Sequence, residues 1–153
     1  MKILYTTEAA VKGGRRGHGR TSDGRLEVDL SVPQAMDGDD GPGTNPEQLF
    51  ALGYGACFQS AMLGVARSRK LDASDSVITA RVTIGTVETG GLGLAAALDL
   101  RAPHLARAEA EELMLRALER CPYSRATRGN IDVTLTVDGV GLQTRGKSGL
   151  VGR

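Results

Sequence analysis

Cys57 and Cys121 are the only thiols in the chain, and they are the side chains whose chemistry could decide what it does. A thiolate is a nucleophile and a reductant, whereas a thiol sealed in apolar surroundings is inert. Both cysteines fall on apolar helical faces, where a free cysteine often serves only as a small packing residue. Cys121 is followed by Pro122, a pattern that reads as a helix end, a breaker and then a mobile turn. A helix C-terminus disfavours a thiolate, so Cys121 suits a resolving thiol better than a first nucleophile. Cys57 lies in mid-helix, gains nothing from a helix dipole, and needs a nearby cation to ionise at neutral pH. Arg15 and Arg16, in a glycine-rich loop, are the candidates.

Glu47 has two readings. Thr44 and Asn45 are both good N-cap residues ahead of Pro46, and Glu47 is the last residue of a capping box, Thr44-Asn45-Pro46-Glu47, that would start the helix. It is equally a carboxylate able to orient an arginine against a thiolate. In one straight helix Glu47 and Cys57, ten residues apart in the sequence, are separated by about 15 Å. Unless the helix breaks, the two can act together only if the glutamate comes from a second subunit.

Other chemistries find less support. Cys–His catalysis would need His18 or His104 beside Cys57, and each sits at a turn with no supporting motif. A structural zinc site takes about four ligands at regular spacing, which the chain lacks. Gly13-Gly14 and Gly90-Gly91 do not lead into helices and so are not phosphate loops. No metal and no cofactor is expected.

The elements that must position these residues follow from periodicity. Residues 2–11 read as a strand with weak alternation, 13–20 as a loop rich in glycine and arginine, and 22–24 as a turn. Leu26, Val28, Leu30 and Val32 alternate with polar residues, and Pro33 ends that strand. A helix runs over residues 46–69. It is apolar nearly all round, with a stripe of small residues, Gly53, Ala56, Cys57, Ser60, Ala61 and Gly64, that lets another backbone come close. Strands centred on Ile78–Ile84 and Leu92–Leu100 flank the hairpin signal Thr89-Gly90-Gly91. A second helix covers 105–120, with its apolar stripe ending at Cys121, and a last strand covers 131–137. The order ββαββαβ predicts an α+β fold, antiparallel sheets around a central buried helix. One sheet cannot cover every side of an apolar helix, so a homodimer is expected.

The domain is expected to occupy 1–137, followed by a glycine-rich tail over 138–153 with no periodicity, read as mobile. A net charge of +1 gives no electrostatic reason to expect a nucleic-acid or anionic-membrane partner. No apolar run reaches the roughly 18 residues that would suggest a membrane span. The N-terminal residues lack a charged n-region followed by a long apolar stretch, so a cytoplasmic location is expected. There, cysteines are catalytic, redox-active or buried more often than disulfide-bonded.

The segments GTNPEQLFALGYGACF, around Cys57, and CPYSRATRGNIDVTLTV, from Cys121, closely resemble the organic hydroperoxide resistance proteins of the OsmC/Ohr superfamily. So does Gly13-Gly14-Arg15 followed by the strand LEVDLSVP, and the resemblance runs in order over residues 2–137. It implies a thiol-dependent peroxidase. Cys57 matches the peroxidatic cysteine, Cys121 the resolving one, Arg15 the activating arginine and Glu47 the carboxylate that fixes it. It also implies an intertwined homodimer with sites at the subunit interface, an organic hydroperoxide as substrate, and a dithiol reductant carried by a lipoylated protein. Apolar surroundings of the thiol favour alkyl and fatty-acid hydroperoxides, since each buried methylene is worth about 0.8 kcal/mol. Arg16 directly after Arg15, Arg125 beside the resolving cysteine, and the tail depart from the family pattern. A redox sensor using the same disulfide, or a non-catalytic dimer with buried thiols, are the other classes open to these residues.

Overall fold

The computed structural model describes residues 1–142, and the chain divides into two compact units, Met1–Phe50 and Ala51–Arg153. The first unit is a three-stranded antiparallel sheet, β1 (Ala9–Lys12), β2 (His18–Thr21) and β3 (Glu27–Asp29), in that order. The expected strand over residues 2–11 shrinks to its end. β2 pairs with β1 from Lys12↔His18 only as far as Ala9↔Thr21 and then turns, leaving Ile3, Leu4 and Tyr5 exposed. The expected loop over 13–20 contains a strand that apolar alternation does not reveal. β2 is held by charge: His18 lies 2.8 Å from Asp29 and 3.1 Å from Glu27, and Arg20 pairs with Glu27 at 3.5 Å.

The connection that follows folds back on the sheet. Thr44 donates its N–H to Asp29 and accepts one from Ser31, each at 2.9 Å. At Gly43 a Cβ would stand 2.7 Å from the Asp29 carbonyl, so this close return requires glycine.

Helix α1 (Pro46–Ser68) starts in the first unit and continues unbroken into the second. Asn45 is its N-cap, its side-chain oxygen accepting the Gln48 N–H at 2.9 Å. The expected Thr44–Glu47 capping box does not form. The cap is one residue later, which places Pro46 at the first helical position and leaves Glu47 free for another partner.

In the second unit α1 buries Tyr54, Phe58, Met62, Val65 and Ala66, a stripe at spacings of four, four, three and one. The opposite face is open: Leu52 is 73% exposed. By length and composition α1 is apolar enough to cross a membrane, which corrects the reading that no segment is, although the buried core helix of a folded domain meets the same test. Here the buried stripe of α1 supplies core. With Leu98, Leu100, Leu113, Met114, Ala117 and Val137 it forms the buried apolar centre of the unit, each large side chain contributing roughly 1.5–3 kcal/mol.

The second sheet has the order β4 (Val77–Thr86), β5 (Leu92–Arg101), β6 (Asp132–Val137), β7 (Val140–Gly141). β4 and β5 form the expected antiparallel hairpin, but β6 runs parallel to β5, from Ala95↔Asp132 to Leu100↔Val137. The sheet is therefore mixed rather than antiparallel. The return is made by helices α2 (Arg107–Arg120) and α3 (Pro122–Thr127), which carry the chain back between two parallel strands. The expected break after Cys121 is this second helix, with Pro122 at its first position, where a missing N–H costs nothing. The start of the expected tail is also ordered. β7 pairs with β6, and Arg107 donates to the Val137, Val140 and Gly141 carbonyls at 3.2–3.3 Å. The rest of that tail lies outside the described residues.

Candidate active site

The first unit builds an arginine–carboxylate pair. Gly13 (φ 83°) and Gly14 (φ 57°) take the left-handed backbone that links β1 to a 3₁₀ turn, Gly14–Arg16. Arg15 projects from this turn and grips Glu47 with both guanidinium ends, at 2.8 and 2.7 Å. Such a fork fixes orientation as well as charge. The side chains are 35% and 15% exposed. Arg16, by contrast, reaches exposed Asp39 at 3.6 Å, its one ion-pair partner among the described residues. Of the two adjacent arginines, Arg15 is the one held by Glu47.

The turn tolerates no side chain at Gly17, where a Cβ would stand 1.8 Å from the Lys12 carbonyl. Gly17→Ala is expected to destabilise the unit by ~3 kcal/mol or more and to displace Arg15. A denaturation midpoint within error of the parent would contradict this.

The Glu47 hydrogen bonds to Arg15 hold the carboxyl below its ordinary range against the opposing effect of burial, and the same bonds push the Arg15 guanidinium up. The depressed folded value means that the pair's contribution to stability is fully present above the ordinary carboxylate pKa. It is lost only as pH falls through the lowered one. An NMR titration of the Glu47 carboxyl carbon should show a midpoint below that of a free glutamate. A midpoint at or above it would mean the fork is not populated.

The second unit builds a thiol pair. Cys57 is half-buried on α1, and Cys121 is fully buried where α2 ends and α3 begins. Both are free, with the Cys121 Sγ 3.4 Å from the Cys57 Sγ. A disulfide needs about 2.05 Å, so closing the bond takes a movement of roughly 1.4 Å. Burial pushes the Cys57 thiol up, while the backbone N–H of Tyr123 pulls it down. Tyr123 follows Pro122, which has no N–H of its own, so its N–H is the first backbone donor of α3. Cys57 thus receives a helix-start donor that its mid-helix position alone would not suggest. The neighbouring Cys121 pushes the Cys57 thiol up as well.

Around this pair lies a buried hydroxyl cluster that residue types alone did not single out. Tyr54, one turn before Cys57, lies 3.0 Å from Ser124 and 3.4 Å from Thr127. The available signal was polar hydroxyls on otherwise apolar faces, three residues from each cysteine. His18 is held between Asp29 and Glu27, and exposed His104 pairs with Asp75 at 3.1 Å. Among the described residues no group of three or more His, Cys, Asp or Glu side chains could hold a metal ion. The structure thus brings Arg15 to Glu47 and Cys57 to Cys121, each pair within its own unit.

A model of the OsmC-like protein family matches residues 38–136. The chain is 48% identical over 137 residues to the organic hydroperoxide resistance protein of Xanthomonas axonopodis pv. citri, covering 89% of this chain and 96% of that protein. It is also similar to the crystal structure of an organic hydroperoxide resistance protein from Legionella pneumophila. That comparison gives 47% identity and a TM-score of 0.84, over 89% of this chain and 98% of the other. The structure of OhrB from Bacillus subtilis matches at 42% identity and a TM-score of 0.82, over 88% and 99% of the two chains.

Proposed function

This chain belongs to the OsmC-like family, and from that membership we propose that it is a Cys-based peroxidase that reduces organic hydroperoxides to alcohols. The observation that carries this reading is the 3.4 Å approach of two free thiols, one half-exposed and one buried. The Cys57 thiolate attacks the distal oxygen of the O–O bond. Cys57 becomes a sulfenic acid, and the alkoxide leaves and takes up a proton as the alcohol. The Cys121 thiolate then attacks the Cys57 sulfur, expels hydroxide and forms the Cys57–Cys121 disulfide. An external dithiol returns both thiols by exchange. A dihydrolipoyl group on a protein is the proposed reductant, and alkyl or fatty-acid hydroperoxides are the proposed substrates.

Burial alone raises the Cys57 pKa, so the first step requires a cation. Arg15, aligned by Glu47, is proposed as that cation, and it also polarises the peroxide. The apolar surface that α1 leaves exposed at Leu52 supports a homodimer, with the glutamate of one subunit serving the thiol of the other, and the cytoplasm is the proposed location. Light scattering should give twice the chain mass. Mixed dimers of Glu47→Ala and Cys57→Ser subunits should keep one intact site, and complete inactivity of these heterodimers would rule out the shared arrangement.

Steady-state consumption of an alkyl hydroperoxide with dihydrolipoamide tests the activity itself. Multiple turnovers per subunit are expected. A single equivalent consumed, with the disulfide then persisting in excess dithiol, would identify a sensor instead.

A further inference from the structure

We propose that Tyr54 is a positioning residue for the second chemical step, holding the segment that carries Cys121 against the helix that carries Cys57. This rests on the peroxidase reading above. Tyr54 is fully buried, and its hydroxyl meets those of Ser124 and Thr127, which are 2% and 6% exposed. A buried hydroxyl without a partner is costly, so three of them converging in a dry core specify one arrangement of the elements that bear them. Those elements are α1 and α3. Tyr54 lies one helical turn before Cys57, and Ser124 lies three residues after Cys121 and next to Tyr123, whose N–H acts on the Cys57 sulfur.

The ring is also seated by its neighbours. Phe58 meets it edge-on at 6.5 Å between centroids, and Tyr123 lies tilted at 6.0 Å. The apolar contacts therefore keep the ring in place when the hydroxyl is removed. What the hydroxyl adds is a polar tie from α1 to the start of α3.

That tie matters most after the first oxidation. The Cys57 sulfenic acid has two fates. Attack by the Cys121 thiolate releases hydroxide and gives the disulfide. Attack by the sulfenate on a second hydroperoxide instead gives a sulfinic acid and a second alcohol, a dead end. The first fate requires the sulfurs to close from 3.4 Å to bonding distance along one line of approach. Misplacement of well under an ångström slows such an intramolecular step strongly. The first attack, by Cys57 on a diffusing substrate, feels the positions of Cys121 and Tyr123 only through the ionisation of Cys57, and so responds less to a small displacement than closure of the sulfur pair does.

The test is Tyr54→Phe, followed by rapid mixing and mass spectrometry. Sulfenic acid should form at the parent rate within about twofold, while disulfide formation slows about tenfold. Sulfinic Cys57 should therefore accumulate at a peroxide dose that leaves the parent fully disulfide-bonded. Ser124→Ala should give the same split, and the double variant should be no slower than the slower single one. A merely structural role would lower the melting temperature without changing this partition. If Tyr54→Phe fails to fold, Ser124→Ala alone carries the same expectation. Disulfide formation at the parent rate in the folded variants, or equal slowing of both steps, would overturn the proposal. A parent protein that forms no sulfenic acid would instead overturn the peroxidase reading.

Discussion

Cys57→Ser is expected to abolish hydroperoxide turnover, by at least about a thousandfold. A serine hydroxyl is nearly isosteric with the thiol, so the helix and its buried face should stay intact. What disappears is a soft nucleophile that ionises within reach of neutral pH and whose oxidised form is a stable intermediate. Serine has no counterpart to sulfenic acid and cannot form the bond to Cys121. Cys121→Ser is expected to behave differently. It should consume about one equivalent of peroxide per Cys57 to reach the sulfenic acid, or two where that is over-oxidised to the sulfinic acid, and then stall. Full turnover by Cys57→Ser would remove the assignment.

Arg15→Ala is the second large effect, expected to reduce kcat/KM at neutral pH about a hundredfold. Burial raises the Cys57 thiol pKa, the Tyr123 N–H opposes that shift, and the thiol pair itself adds to it. A cation near the thiolate shifts the balance towards ionisation, typically by about one to three units. Removing it moves the acid limb of the activity profile to higher pH, so part of the loss should return as pH is raised. Alkylation of Cys57 by iodoacetamide as a function of pH measures this directly, with a higher midpoint expected in Arg15→Ala. Arg15→Lys should restore charge without the two-pronged grip on Glu47 and recover only part of the rate. Arg16→Ala, which loses only an exposed partner at 3.6 Å, should stay within about twofold of the parent. Equal losses in Arg15→Ala and Arg16→Ala would contradict the specific role of Arg15.

The helices and most strands were legible because burial imposes a period. β4, β5 and β6 alternate cleanly, and α2 buries Ala110, Leu113, Met114 and Ala117 ahead of Cys121 as its stripe predicts. The parallel pairing of β6 was not legible, because alternation is the same for parallel and antiparallel strands and the order is set by the helices between them. β2 was missed because His18-Gly19-Arg20-Thr21 has no apolar period; cross-strand charge holds it instead. Pro122 misled for a different reason. Proline ends one helix and starts the next with the same chemistry, and here it does both around Cys121. The two readings of Glu47 separate once Asn45, rather than Thr44, is seen to be the cap. That single-residue shift turns a presumed capping side chain into the partner of Arg15.

The central claim is that Cys57 and Cys121 form one redox couple within a single chain. It is tested most directly by adding one equivalent of an organic hydroperoxide to the reduced protein and mapping its disulfides by peptide mass spectrometry under non-reducing conditions. A Cys57–Cys121 link within one chain, formed in nearly stoichiometric yield, is the predicted result. Disulfides only between chains, or both thiols left free while the peroxide persists, would contradict it.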